Sequence, residues 1–441
     1  MRSALGRLRR SGSRSLIEQL ATLTSVGDGS TLTLDFTTGV LDPRLTFTRG
    51  STGTRINSSG FVETMSNNVA RFDYDPATLA PRGLLIEGQA VNLLCWSESF
   101  ATSGGTTNWT YNGNSGATVT ETNPAGGSSS FQFRETSGSG PLSQTVTTVS
   151  TSPYTFSFWV RASVFNSVTT TQIQVGIFTT AFQTVSISKI SGPGSVSGTG
   201  LCTVSGLSLT EWTKVQVTTT GNIGATSASV MLYAQTASFE LDRSLLIWGA
   251  MLEQGSGASS YIPTGASQGT RNRDELTLTN LSSIAFSQTS GTAFAHVEVR
   301  EKATGNFPPY GSFDTSGGGR CWWWLRHNRD ASLGTRLLGN VFNSGGSTVI
   351  TTSNYQYNSG NGGLVKFATS LDTAASALVY VIGGGSPQTT TASAFTLATA
   401  ARWSVNVNND VAATDLGSMW MRSFKYWPTN LPNATLQSLT T

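Results

Sequence analysis

The sequence predicts an all-β protein built of β-sandwiches, and three observations predict it. Apolar and polar residues alternate over many short runs of roughly four to eight residues, each bounded by clusters of Gly, Ser, Thr, Pro or Asn. Only 12% of residues are charged, about half the usual share, so the polar surface is made of Ser, Thr, Asn, Gln and Gly. Yet 37% are hydrophobic and 10% aromatic, with 11 tryptophans, which argues against a disordered chain and allows packed cores. At 441 residues the chain exceeds one core, and domains of about 100–200 residues are expected.

Residues 1–28 are the one clearly helix-prone stretch. Arg2, Arg7, Arg9, Arg10 and Arg14 precede the first acid, Glu18, and Leu16, Ile17, Leu20 and Leu23 follow at helical spacing. A helix this short is marginal alone in water. It is expected to order against a partner or against copies of itself. The stretch therefore reads as a basic docking arm, with Arg7, Arg9, Arg10, Leu16, Ile17 and Leu20 as its docking residues. No apolar h-region follows the positive charge, so a general secretion signal is not expected. No run of about 18 apolar residues occurs, so no membrane span is expected either.

Residues 29–95 read as a small β linker. Leu32, Leu34 and Phe36 alternate with polar residues. Asn57-Ser58-Ser59-Gly60 is a turn between Thr54-Arg55-Ile56 and Phe61-Val62-Glu63, and Asp75-Pro76 marks another before Gly83-Leu84-Leu85-Ile86-Glu87. In order, FTRGSTGTRINSSGFVET, NVARFDYDP and RGLLIEGQAVNLL resemble a module of tailed-phage virion proteins that links an attachment region to carbohydrate-binding-like sandwiches. That resemblance covers about residues 40–95 and implies a virion structural protein.

Residues 96–270 carry strand runs at Tyr154–Arg161, Glu211–Val217 and Ser244–Glu253, with long Ser/Thr/Gly loops between them. They resemble the jelly-roll sandwiches of carbohydrate-binding modules, and IWGAMLEQGSGASSYIPTGASQGTRNRD resembles the closing strand and exit loop of such domains in phage proteins. Residues 271–441 carry further runs at Phe294–Val299, Arg320–Arg326, Leu378–Ile382 and Met419–Trp427, then a short helix within Leu431–Thr440. The ending MRSFKYWPTNLPNATLQSLT resembles the closing strand and helix of concanavalin-A-like, laminin-G-like sandwiches. The expected architecture is two tandem jelly-roll sandwiches preceded by a helical arm and a small β linker.

Catalytic chemistry has little to work with. His296 sits inside an alternating strand and His327 in a polar stretch, and neither has a metal-ligand partner at a suggestive spacing. GxSxG, HExxH and P-loop patterns are absent. Glu240, Asp242, Glu298 and Asp314 are carboxylates that distant strands could bring together, but ordinary surface roles are expected. Cys95, Cys202 and Cys321 lack zinc or disulfide spacing and read as buried free thiols. A net charge of +3 gives no case for nucleic-acid binding. No catalytic residue and no metal ligand is assigned. Structural calcium is implied only by the resemblance, with Asn406–Asp410 as an oxygen-rich loop.

Sugar binding suits the composition. A pyranose offers a C–H face to Trp or Tyr while its hydroxyls pair with polar side chains. Trp322, Trp323 and Trp324 cannot all face one core, because a strand alternates faces. Trp323, with Arg326 and His327 near it, and Trp109 among polar neighbours are the candidate glycan-binding residues. Core packing is expected for Trp159, Trp212, Trp248, Trp420 and Trp427. The resemblance thus implies a non-enzymatic virion protein, assembled in the host cytoplasm, of tail-fibre, tailspike or head-fibre type. It would dock by its arm to portal, tail or capsid proteins, form a homotrimer and bind a host surface polysaccharide. A decoration protein without a receptor and a polysaccharide depolymerase are the alternatives.

Overall fold

A computed structural model describes residues 28–441 apart from 101–108, 112–113, 137–139, 171, 180–183, 189–193, 235–241, 301–304, 307–310, 316–319, 331–333, 353–354, 357–362 and 407–417. The docking arm, with Arg7, Arg9, Arg10, Leu16, Ile17 and Leu20, lies outside the described residues. The fold is all-β and made of sandwiches, as the alternation predicts. Among the described residues the one α-helix is Asn433–Thr440. No helix there is long and apolar enough to cross a membrane.

One sandwich packs two large sheets. The first runs in the order Gln388–Thr391, Ala377–Ile382, Gly363–Asp372, Ser290–Arg300, Ser418–Trp427, Pro81–Glu87 and Phe72–Tyr74, and Leu32–Asp35 also pairs with Ser418–Trp427. The second contains Thr46–Thr48, Glu275–Leu278, Arg402–Val405, Gly311–Asp314, Arg320–Asp330, Gly334–Phe342 and Thr348–Thr351. The expected separate linker over 29–95 is therefore corrected. Its strands complete this C-terminal sandwich: Leu32 faces Tyr426, Leu84 faces Met421 and Phe47 faces Leu276. The core confirms it, since Leu32, Leu34, Phe36, Phe47, Leu84 and Ile86 share one apolar cluster with Val297, Trp403, Phe424 and Tyr426. The physical reason is burial. Leu84 and Ile86 are fully covered, and a short two-layer linker could not cover them alone.

The other sandwich is inserted between these two visits of the chain. Its sheets are Leu142–Thr147, Ser227–Tyr233, Gln172–Phe178, Leu201–Ser205, Thr184–Ser188 and, opposite, Gly194–Thr199, Thr213–Thr218, Tyr154–Ala162, Arg243–Gln254, Ser130–Glu135, Ser115–Val119. Phe156, Phe158, Val160, Ile173, Val175, Val215, Val217 and Ile247 fill the core between them. Cys95 and Cys202 are buried free thiols, as expected. The chain enters through Ala90–Asn92 and leaves through Gly269–Arg271, and these two strands pair, Asn92 opposite Gly269. The two sandwiches are nested rather than consecutive.

At this stem lies a buried network of charges. Arg49, Arg71, Glu87, Arg271 and Asp274 are each exposed by 1% or less. Arg71 bonds the Asp274 carboxylate and, at 2.8 Å, Glu87. Arg271 reaches Glu87 at 2.6 Å, and Arg49 reaches Asp274 at 3.2 Å. Burial alone would push the Glu87 carboxyl upward, but Arg271 and Arg71 outweigh it and hold it well below the usual range. Asp274 also accepts the Glu87 backbone N–H at 2.9 Å, and Asn406 donates to the Glu87 and Asp274 carbonyls at 3.1 and 2.6 Å. Ser260, from the inserted sandwich's exit loop, donates to Glu87 at 2.6 Å.

Two outcomes are expected. Joining Asn92 to Gly269 by an Asn-Gly hairpin turn in place of residues 93–268 should leave a folded, cooperatively melting β protein, whereas residues 269–441 alone should not fold; circular dichroism and amide NMR dispersion decide between them. Replacing Asp274 with Ala leaves Arg49 and Arg71 buried beside too little negative charge. It should lower the unfolding free energy by about 3–5 kcal/mol in denaturant titrations, and a loss under about 1 kcal/mol would refute the network's role.

Candidate functional site

The site grows out of strand alternation on the inserted sandwich. Along Tyr154–Ala162, Phe156, Phe158 and Val160 point into the core, so Trp159 and Arg161 point outward. On the neighbouring strand Val215 and Val217 point inward, so Lys214 lies on the outer face beside Trp159, its cross-strand partner. Trp212, two residues before Lys214, takes the same side. Four side chains, two tryptophans and two cations, thus stand on one outer face. Trp159 and Trp212 are half-buried and pack against a smaller cluster with Val62, Trp248, Met251 and Tyr261, so the expected core packing holds for them only in part. Trp248, Trp420 and Trp427 are buried, as expected.

Each ring is held in place. Trp212 Nε1 donates to the Thr122 carbonyl at 2.8 Å, and the Arg161 guanidinium lies 5.5 Å from its ring centre. Arg161 is itself paired with Glu121 at 2.6 Å. The Lys214 ammonium lies 4.8 Å from the Trp159 ring centre, an arrangement in which a cation meets the negative face of the ring. Trp248 and Tyr261 meet Trp159 edge-on at 5.3 and 5.7 Å. Gly249 makes this packing available. Its φ is +66°, and a Cβ there would stand 2.9 Å from the Trp159 ring. The residue sits in a bulge where Ser157 opposes Met251 but Trp159 opposes Trp248.

The opposite wall comes from the other sandwich. The hairpin of Gly53–Ile56 and Val62–Met65 turns at Asn57–Gly60 as expected, with the Gly60 N–H on the Asn57 carbonyl at 2.9 Å. It leans on the inserted domain through the Val62 N–H and the Pro124 carbonyl at 2.9 Å. Val62 packs with Trp248, Met251, Tyr261 and Ile262. Between the two walls is a cleft of about 510 Å³, within the range of small-ligand sites, about 300–1,000 Å³. Trp159, Trp212, Phe61 and Tyr74 give it apolar surface; Arg82, Arg161, Lys214, Asp73, Asp75 and Glu211 give it charge of both signs.

The carboxylates here are mostly spoken for. Asp73 accepts the Ile56 N–H at 2.5 Å and Trp420 Nε1 at 2.7 Å. Asp75 caps its own turn, taking the Ala77 and Thr78 N–H groups at 3.0 and 2.8 Å, bonds that hold its carboxyl low against the opposing effect of burial. Arg82 is paired with Glu298 and lies over the Trp420 ring, 3.7 Å from its centre. Among the described residues no three His, Cys, Asp or Glu side chains cluster as a metal site.

The residues expected to bind sugar lie elsewhere. Trp109 is corrected: it is buried, its Nε1 donates to the Cys95 carbonyl at 3.0 Å, and its ring packs 4.8 Å from that of Phe100. Trp323, Arg326 and His327 belong to the strand Arg320–Asp330, where Arg326 opposes Leu338 and His327 opposes Leu337; their side chains lie outside what the structure describes. His296 is half-buried on its strand, and its imidazole is pushed down to about 4 by burial and by Arg422 and Lys366, so it is neutral at pH 7. Of the four carboxylates, Glu240 lies outside the described residues. Asp242 bonds Asn166 at 2.7 Å, and Asp314 accepts from Ser312 and Ser404. Glu298 and Asp314 lie on different sheets and Asp242 in the bend before Arg243–Gln254, so these three form no pair. In the proposed calcium loop, 407–410 lie outside the described residues and the Asn406 amide group serves the charge network.

No family model matches this chain, and no curated protein matches it. Solved structures do. The binding domain of botulinum neurotoxin DC in complex with rat synaptotagmin II is 14% identical, over 38% of this chain and 40% of that chain, with a TM-score of 0.30. The Ruminococcus gnavus IT-sialidase CBM40 bound to alpha2,6 sialyllactose is 12% identical, over 37% of this chain and 90% of that chain, with a TM-score of 0.28. The binding domain of Paraclostridial Mosquitocidal Protein 1 is 12% identical, over 39% and 43%, with a TM-score of 0.30. The match spans about two fifths of the length of the neurotoxin neighbours.

Replacing Gly249 with Ala should show how far the cleft depends on its bulge. The left-handed backbone alone costs a residue with a Cβ about 1–2 kcal/mol, and the new methyl also strikes Trp159. A lowered unfolding midpoint with a shifted tryptophan emission is expected. An unchanged midpoint would show that the bulge does not hold Trp159.

Proposed function

We propose that this protein is a non-enzymatic attachment protein of a tailed-phage virion, and that it holds a host surface polysaccharide in the cleft between its two sandwiches. The observation that carries the reading is the outer-face pair Trp159 and Trp212, half-buried and set among Arg82, Arg161, Lys214 and Glu211. A tryptophan face takes the C–H face of a sugar, and charged or hydroxyl groups around it take the sugar's hydroxyls. Trp212 is the better platform, because Trp159 is flanked by Trp248, Tyr261 and Gly249 as well as Lys214.

Binding is favoured over cleavage by the state of the carboxylates. Glycoside hydrolysis needs two carboxyl groups facing each other across the bond. Asp73 and Asp75 are engaged in holding backbone and indole N–H groups, which leaves Glu211 at the rim. The virion part of the reading rests on the resemblance of residues 40–95 and of the block from Ile247 to Asp274. On this reading the basic arm docks to portal, tail or capsid proteins, and the particle carries the protein as a homotrimer.

Replacing Trp212 with Ala should weaken binding of purified protein to host surface polysaccharide by about 30-fold, the effect of losing a well-packed aromatic anchor. The unfolding midpoint should change little. Unchanged affinity would remove the cleft as the site. The Trp323→Ala variant in the same titration tests the strand Arg320–Asp330 separately.

A further inference from the structure

The charges of the cleft are not arranged to receive an acid. Among the described residues three cations line it, Arg82, Arg161 and Lys214, and three carboxylates, Asp73, Asp75 and Glu211. Both arginines are already held by carboxylates outside the lining. Arg82 grips Glu298 with Nε, at 3.3 Å, and with Nη2, and its guanidinium lies over the Trp420 ring. Arg161 holds Glu121 at 2.6 Å. Counting these two partners, five carboxylates line or adjoin the cleft against three cations. Arg422, which donates to the Pro81 carbonyl at 3.1 Å, is not part of the lining.

The lining carboxylates differ among themselves. Asp73 and Asp75 hold backbone and indole N–H groups of the protein. Glu211 does not. Its backbone N–H donates to Ser208 Oγ at 3.0 Å, and its exposed carboxylate has no hydrogen bond or ion pair among the described residues. The cleft therefore offers a ligand one open anion, while its guanidinium groups come with counter-charges attached. The formal charge of +3 on the whole chain does not change this, because charges beyond about 8–10 Å are largely screened at ordinary ionic strength.

We propose that the cleft selects a saccharide without acidic groups and rejects one that carries a carboxylate, sulfate or phosphate, a selectivity that rests on the cleft being a saccharide site. A hydroxyl both donates and accepts. It can donate to Glu211 and accept from the arginine N–H groups that Glu298 and Glu121 leave over, with no net charge to be matched. An ionised acid only accepts. It must take Arg82 or Arg161 from a carboxylate already in place, or share Lys214 with a cleft that also holds Asp73, Asp75 and Glu211. Either way like charges are brought together, which is the usual device for turning away a wrong partner.

The test is a broad array of uronic-acid oligosaccharides, each beside its carboxyl-reduced neutral counterpart, probed at low and high salt with the parent protein, Glu298→Gln and Glu211→Gln. At low salt the parent should bind the neutral member of a pair more tightly by about tenfold, the order that like-charge contact gives. The gap should narrow as salt screens the repulsion. Glu298→Gln releases Arg82 from its carboxylate while Trp420 still carries the guanidinium, and Glu211→Gln removes the open anion. Each should raise affinity for the acidic member severalfold, and Glu298→Gln should leave affinity for the neutral member where it was. Because Glu211 is exposed, its variant remains a test even where loss of the Arg82–Glu298 pair lowers stability. Preference for the acidic member, equal binding of both, or a gap that both variants leave unchanged overturns this inference and leaves the saccharide reading standing. Binding to no member of either kind overturns the saccharide reading and this inference with it.

Discussion

Three arginines and two carboxylates, sealed from water at the stem of the insertion, are the constraint on which the rest of the structure depends. Removing five charges from water is costly, and their mutual attraction offsets that cost only where every group is paired in good geometry. Here Asp274 joins Arg49 and Arg71, while Glu87 joins Arg71 and Arg271, and Ser260 lies between Arg71, Arg271 and Glu87. Partners come from 49, 71 and 87 before the insertion, 260 within it, and 271 and 274 after it. The ion pairs of the network close only if both visits of the chain are in place together, and the exit loop of the inserted sandwich adds the hydrogen bonds of Ser260 to them. Its worth therefore lies more in fixing one arrangement than in raw stability.

That arrangement makes the cleft. The outer face of a lone sandwich would present Trp159, Trp212 and Lys214 to open water. The stem instead holds the Gly53–Met65 hairpin against that face, and Val62 meets Trp248, Tyr261 and Ile262 there. The junction also joins the two walls chemically, since Tyr261, whose ring flanks Trp159, takes the Thr54 hydroxyl on its carbonyl at 2.6 Å, while Asp73 ties Ile56 of the hairpin to Trp420 within one wall. An open sheet face becomes one wall of a two-sided cleft without a new domain.

Much of this was legible in the sequence, and the misses have physical causes. Strands and turns are local, so the runs at Tyr154–Arg161 and Met419–Trp427, the Asn57–Gly60 turn and the terminal helix are found where periodicity and turn residues put them. Pairing is not local. Nothing near Leu32–Asp35 says that its partner is Ser423–Tyr426, almost the whole chain away, so residues 29–95 read as a separate unit. The blocks that resemble a phage module contain Arg49, Arg71, Glu87, Ser260, Arg271 and Asp274; the likeness was visible but the ion network behind it was not. Trp109 misled because its sequence neighbours are polar, while its ring partner Phe100 and the apolar cluster around it are set by the fold. Trp159 and Trp212 were within reach: once Phe156, Phe158, Val215 and Val217 are taken as inward, strict alternation turns Trp159 and Lys214 outward.

The same alternation explains why the cleft carries its cations on its aromatic rings. A half-exposed indole on a sheet face is a liability when nothing is bound, because apolar surface left in water favours self-association. Lys214 on Trp159 and Arg161 on Trp212 cover part of that surface with side chains whose charged ends stay near water. The two are held differently. Arg161 is pinned by Glu121, and with the Thr122 carbonyl on Trp212 Nε1 the position of that ring is fixed. Lys214 lies on a ring already flanked by Gly249 and Tyr261, so on the proposed reading a saccharide would reach Trp159 only by displacing the ammonium. On the proposed reading Trp212 is thus the fixed platform of the cleft, and Trp159 with Lys214 is the side that a ligand would rearrange.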